Sequence, residues 1–142
     1  MDEATRTALK QRLMKEESCR LHPYEDTEHV LTIGWGRNLT DNGISQSEAD
    51  MMFENDLKGI VAACETNVPG FADLDETRKL VLADMAYNLG LHGLLEFKKM
   101  LAAVKAKNWP QAAAEMRNSK WAKQIPHRAG PLAEIMEKGV GD

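Results

Sequence analysis

Two carboxyls and a hydroxyl form the first chemical pattern in the chain. Eight residues separate Glu17 from Asp26, and five separate Asp26 from Thr32. Glu17 closes a run of helical character, where the negative end of the helix dipole meets another negative charge. Asp26 falls in Glu25-Asp26-Thr27-Glu28, a turn between two stretches of strand-favouring residues. One carboxyl at a helix end and one on a nearby turn suit acid-catalysed glycoside cleavage. One protonates the leaving oxygen and the other manages water. Taken singly, each acid also reads as a solvated or capping residue; the constellation carries the chemistry.

Thr32 belongs to Val30-Leu31-Thr32-Ile33-Gly34-Trp35-Gly36. With period two, Leu31, Ile33 and Trp35 face one way, toward a core. Val30, Thr32, Gly34 and Gly36 face the other way, placing a hydroxyl beside two positions without side chains. That is a bare floor for a flat ligand; a strand with bulge glycines is the plainer alternative. A nucleotide loop is not expected, because no helix opens directly after the glycines and the spacing does not continue to a third glycine.

The elements that must position these groups are mostly helical. Residues 5–17 read as a first helix with a narrow apolar stripe of Ala8, Leu9, Leu13 and Met14. Residues 20–39 read as a small antiparallel sheet. Ser45-Gln46-Ser47-Glu48 is a capping box opening a helix of roughly twenty residues, with Ala49, Met52, Phe53, Leu57, Ile60, Val61 and Cys64 at helical spacing. Val68-Pro69-Gly70 breaks it. Asp75 caps an apolar helix ending near Gly90, and shorter helices follow at about 94–107, 109–117, 119–124 and 131–138. The fold class is α+β. A small α/β lobe (about 15–45) joins through a connecting helix (about 46–66) to an all-helical lobe (about 67–142) packed with the N-terminal helix. The cleft between such lobes is a natural ligand site.

Composition narrows the function classes. The 142 residues are 43% hydrophobic and 28% charged, which suits one globular domain with a real core. No run approaches the roughly 18–20 apolar residues of a membrane span, and the charged start leads into no secretory signal. Residues 1–75 hold 7 Lys+Arg against 15 Asp+Glu, and residues 76–142 hold 11 against 7. The basic half is modest and interleaved with acids, so nucleic acid is not the expected partner. Cys19 and Cys64 read as reduced core or surface residues. His22, His29, His92 and His127 lack metal-ligand spacing, and no metal or cofactor is expected. The methionines read as core filler, and Trp109 and Trp121 as packing residues.

Residues 17–36 resemble the signature of the phage lysozyme family, the T-even type endolysins of glycoside hydrolase family 24. That pattern is Glu, eight residues, Asp, five residues, Thr, then Ile-Gly-x-Gly, and Glu17, Asp26, Thr32 and Ile33-Gly34-Trp35-Gly36 meet it in full. The likeness continues through Gly43-Ile44-Ser45, Tyr87-Asn88-Leu89-Gly90, Trp109, Ser119-Lys120-Trp121 and Gln124-Ile125-Pro126-His127-Arg128-Ala129. It covers nearly the whole chain.

The resemblance implies a lysozyme-like fold and hydrolysis of the β-1,4 bond between N-acetylmuramic acid and N-acetylglucosamine in peptidoglycan, by inversion. Glu17 would be the general acid, with Asp26 and Thr32 holding the attacking water. Asn88 matches a residue that contacts sugar, and Arg128 an Arg that pairs with the catalytic Glu. Asp56 interrupts the apolar stripe of the long helix, and a buried carboxylate needs a partner. The resemblance places it opposite Arg37, an ion pair tying the sheet to that helix. Ser18 and His29 stand where the family commonly has Gly, and Pro131 where it has a second basic residue. The best-known relatives are strongly basic, whereas this chain is acidic.

The expected partner is a peptidoglycan glycan strand, met by a monomer without stable membrane insertion. An endolysin of this kind builds up in the host bacterial cytoplasm. It depends on a separate membrane-permeabilising protein to reach the wall. A weakly active or inactive peptidoglycan-binding virion component is the alternative, and non-hydrolytic transglycosylation is a third reading that retention of Asp26 and Thr32 disfavours.

Overall fold

The computed structural model describes residues 1–139. Helix α1 (Glu3–Glu16) opens on Asp2, whose carboxylate accepts the Thr5 N–H at 2.7 Å. Three antiparallel strands follow, β1 (Arg20–Glu25), β2 (Leu31–Gly34) and β3 (Arg37–Asn38), in the order β1-β2-β3. Thr32 sits at the centre, opposite Tyr24 on β1 and Asn38 on β3. A short helix α2 (Leu39–Asn42) leads into α3 (Gln46–Asn67). The capping box forms at its start: Ser45 N–H donates to Glu48 Oε1 at 2.8 Å, and Glu48 N–H to Ser45 Oγ at 3.2 Å.

After a 3-10 turn at Phe71–Asp73 comes α4 (Glu76–Leu95), capped by Asp75. Gly90 (φ +77, ψ 160) departs from helical geometry where the sequence reading ended the helix, and helical structure resumes to Leu95. Then come α5 (Lys98–Lys105), α6 (Trp109–Arg117), α7 (Lys120–Gln124) and α8 (Pro126–Lys138). Helix α8 starts five residues before the expected position. Pro126 occupies its first turn, where no amide partner is needed, and Pro131 lies inside the helix.

The chain divides into two compact units, residues 1–52 and residues from Phe53 onward, so the division falls inside α3. The hydrophobic core lies in the second unit. It joins Cys64 of α3, Val81, Leu82 and Met85 of α4, Met100 and Val104 of α5, Met116 of α6, Trp121 of α7 and Met136 of α8. Helix α1 belongs to the first unit and buries no residue.

At Leu31 and Thr32 burial is the reverse of the sequence reading, while Ile33 and Gly34 are both half-buried. Thr32 is 5% exposed, whereas Leu31 is 42% and Trp35 49% exposed. Thr32 can be buried because its hydroxyl donates to the Val30 carbonyl at 2.9 Å. Trp35 lies past Gly34, whose φ of +67° ends the extended alternation.

Candidate active site

Glu17 is the C-cap of α1. Its backbone is already extended (φ −102, ψ 138), while its N–H still donates to Leu13 O at 2.8 Å. The carboxylate rests against Gly36: a Cβ built there would stand 2.8 Å from Oε2 and 3.0 Å from Cδ. Glu17 also lines a pocket of about 330 Å³ with Trp35 and the Leu9, Leu13 and Met14 stripe of α1. Gly34, by contrast, has open space where its side chain would be. Of the two glycines read as a bare floor, one is bare and the other is filled by Glu17.

Asp26 shapes the hairpin. Its Oδ1 accepts the N–H groups of Glu28 at 2.8 Å and Val30 at 2.9 Å. Its own N–H donates to Val30 O at 2.9 Å, and His29 N–H to Asp26 O at 3.0 Å. His29 takes φ +63, a conformation that glycine adopts freely. The family's Gly is therefore replaced with the glycine-like turn in place. With Oδ1 committed to two amides, Oδ2 is the carboxylate atom left for chemistry. Thr32 is tied to the same residue, its hydroxyl donating to Val30 O. Its oxygen is left as an acceptor.

Arg37, for which the resemblance implies Asp56, pairs within its own unit with Glu48. Its Nη1 lies 2.5 Å from Glu48 Oε1 and 3.3 Å from Gly43 O. The capping box aims the Glu48 carboxylate back toward Ser45 and the end of β3, which brings it to Arg37. Pairing with Arg37, together with the Ser45 N–H and hydroxyl, holds the Glu48 carboxyl at about 2, and Glu48 raises Arg37 further. Asp56 is exposed, so its place in the apolar stripe carries no burial cost. The pair borders a pocket of about 970 Å³ with Ile33, Ile44, Met51 and Met52.

Asn88 and Arg128 lie in the second unit. Asn88 is exposed, and its Oδ1 accepts the Trp121 indole N–H at 2.9 Å. Arg128 donates through Nε and Nη2 to Asp84 Oδ1 at 3.0 and 2.8 Å, a pairing within its own unit. Asp84 and Glu48 were not singled out as partners in the sequence. The available signals were a lone acid amid the apolar residues of α4 and a capping carboxylate eleven residues after Arg37. Among the described residues, no three His, Cys, Asp or Glu side chains gather as a metal site.

A helix-end carboxyl in a glycine seat, with a carboxylate and a hydroxyl both bonded to one residue, Val30, is the equipment of a glycoside hydrolase. Comparison with known proteins agrees. The family model described as phage lysozyme matches residues 14–134, and the chain belongs to that family; it is a glycoside hydrolase of the lysozyme type. Two Dictyostelium discoideum proteins, "Probable T4-type lysozyme 1" and "Probable T4-type lysozyme 2", are 28% and 30% identical to it. Each alignment covers 94% of this chain and 96% of the relative. The "Pre-baseplate central spike protein Gp5" of Enterobacteria phage T4 is 27% identical over 97% of this chain, which spans 29% of that protein.

Proposed function

We propose that the chain hydrolyses the β-1,4 bond between N-acetylmuramic acid and N-acetylglucosamine by inversion, for lysis of a bacterial host. The observation that carries this reading is the Asp26–Val30–Thr32 bracket. The Thr32 hydroxyl proton is spent on Val30 O, so a water beside Thr32 must donate to it. The second proton of that water is left for Asp26 Oδ2. One lone pair then points away from both groups, toward the sugar face opposite the leaving oxygen. As the bond breaks, Glu17 passes its proton to the departing glycosidic oxygen and Asp26 takes one from the attacking water. Inversion calls for roughly 6.5–9.5 Å between the two carboxyls.

Gly34 and the exposed Asn88 amide serve as further glycan contacts, as does the Arg128 guanidinium in a rearranged pairing. The enzyme acts as a monomer. It builds up in the host cytoplasm and reaches the wall after a separate protein permeabilises the membrane. Among the described residues no helix is long and apolar enough to cross a membrane.

The test compares wild type with Glu17→Gln and Asp26→Asn on purified peptidoglycan, following turbidity and the mass and anomeric form of the fragments. Clearing by wild type alone, with reducing muramic ends released as the inverted anomer, supports the reading. Anhydro ends move the reaction to transglycosylation, and wall binding without clearing removes the enzyme. Likeness to a phage spike protein favours one second reading, a virion-borne lysozyme. It predicts that the chain co-purifies with intact particles.

A further inference from the structure

We propose that Gly36 is a positioning residue for catalysis, present because its missing side chain is the seat of the Glu17 carboxylate. The inference rests on the reading of Glu17 as general acid. Every atom of that carboxyl lies close to where a Gly36 Cβ would be: Oε2 at 2.8 Å, Cδ at 3.0 Å and Oε1 at 3.4 Å. Separations under 3.0 Å are not tolerated, so an added methyl must move something. What it meets is the far end of a flexible side chain, not backbone, so the cheapest relief is rotation of Glu17 away from its seat. The chain still folds; the acid is misplaced. Displacement by about 1 Å is enough to cost on the order of 10²-fold in rate.

Gly36 also has φ +82, which any L side chain finds strained. Gly70 separates the two effects. It has φ +80 but nothing within 4 Å of its Cβ position, and it lies in the other unit, before the 3-10 turn. Gly70→Ala therefore carries the backbone strain without the clash.

The experiment compares Gly36→Ala and Gly70→Ala in the full chain. Both lower the melting temperature by similar amounts. Gly36→Ala alone lowers kcat, by about 10²-fold with KM within about twofold of wild type. In a Glu17→Gln background it lowers the residual rate no further. A second readout is independent of turnover: the ¹³C resonance of the Glu17 carboxyl, assigned by its loss in Glu17→Gln. It moves in Gly36→Ala and stays in Gly70→Ala. A resonance unchanged in Gly36→Ala, or a kcat equal to that of Gly70→Ala, overturns the proposal. A wild type that binds the wall without cleaving it overturns the general-acid reading, and with it the catalytic purpose given to Gly36, even where the resonance moves.

Discussion

Asp26 and Thr32 meet on one carbonyl. Val30 O accepts the Asp26 N–H and the Thr32 hydroxyl, each at 2.9 Å, while the Val30 N–H returns to Asp26 Oδ1. A single residue, Val30, therefore fixes both groups proposed to hold the attacking water, the carboxylate through its N–H and the hydroxyl through its carbonyl. Their relative placement is a local property of the hairpin.

Fold and chemistry can be separated at Asp26. Asparagine keeps an acceptor for the Glu28 and Val30 amides but cannot take a proton, so Asp26→Asn should melt within a degree or two of wild type and lose at least about 10²-fold in rate. Alanine removes the acceptor as well, and Asp26→Ala should also lose about 1–2 kcal/mol of stability. Thermal melts and turbidity clearing on the same samples check both. Equal destabilisation by the two substitutions would refute the dual role.

At Thr32, valine preserves shape and leaves Val30 O satisfied by the Asp26 amide. Thr32→Val should therefore cost little stability while lowering kcat by about 10²-fold, and Thr32→Ser should restore most of the rate. Full activity in Thr32→Val would show that the hydroxyl holds no reacting water.

How much of this was legible in the sequence depends on how local each feature is. The Ser45/Glu48 box and the Asp75 cap close within a few residues and could be read directly. Periodicity grouped Leu31 with Ile33, but it could not tell which face of β2 would be covered. Burial there follows from the neighbours of the central strand and from a hydroxyl bonded to Val30, neither of which is written in alternation. The partners of Arg37 and Arg128 depend on where carboxylates of other elements point. Pro131 reads as a helix start, but Pro126 had already supplied one. The Glu17–Gly36 seat joins residues on α1 and beyond β2. The motif gives their spacing without the reason for it.

The Arg37–Glu48 pair makes stability pH-dependent. Folding holds Glu48 at about 2 against an ordinary 4.5, so its contribution is complete above about 4.5 and is lost as pH falls toward 2. Glu48→Gln keeps the reciprocal cap but removes the charge. Wild type should exceed Glu48→Gln in melting temperature at neutral pH, with the gap closing between pH 4.5 and 2. Because the pair is partly exposed, added salt should narrow the gap as well. A gap independent of pH would assign the stabilisation to the cap alone.

Arg78 is the buried cation of the second unit. Its guanidinium stacks 3.8 Å over the Trp109 ring, donates to Met136 O and Glu137 O at 2.8 and 3.1 Å, and pairs with Asp75 at 3.1 Å. Arg78→Met fills the volume but strands two carbonyls at the end of α8, and should cost about 2–4 kcal/mol. Lysine cannot reproduce the fork and should recover only part of this. Chemical denaturation of the three proteins checks the order.

Asn88 carries two roles that substitutions can divide. Its Oδ1 accepts the indole N–H of Trp121, a residue only 6% exposed, while its amide NH₂ has no partner among the described residues. Asn88→Ala leaves the Trp121 donor unpaired and should lower stability by about 1–3 kcal/mol. Asn88→Asp keeps an acceptor for Trp121 but removes the two donors proposed to meet the glycan, and places a negative charge there. It should retain most of the stability while raising KM for peptidoglycan several-fold. Measured well below the melting temperature of either variant, an unchanged KM in Asn88→Asp would confine Asn88 to holding Trp121. A rise in KM with the melt intact would make it a sugar contact as well.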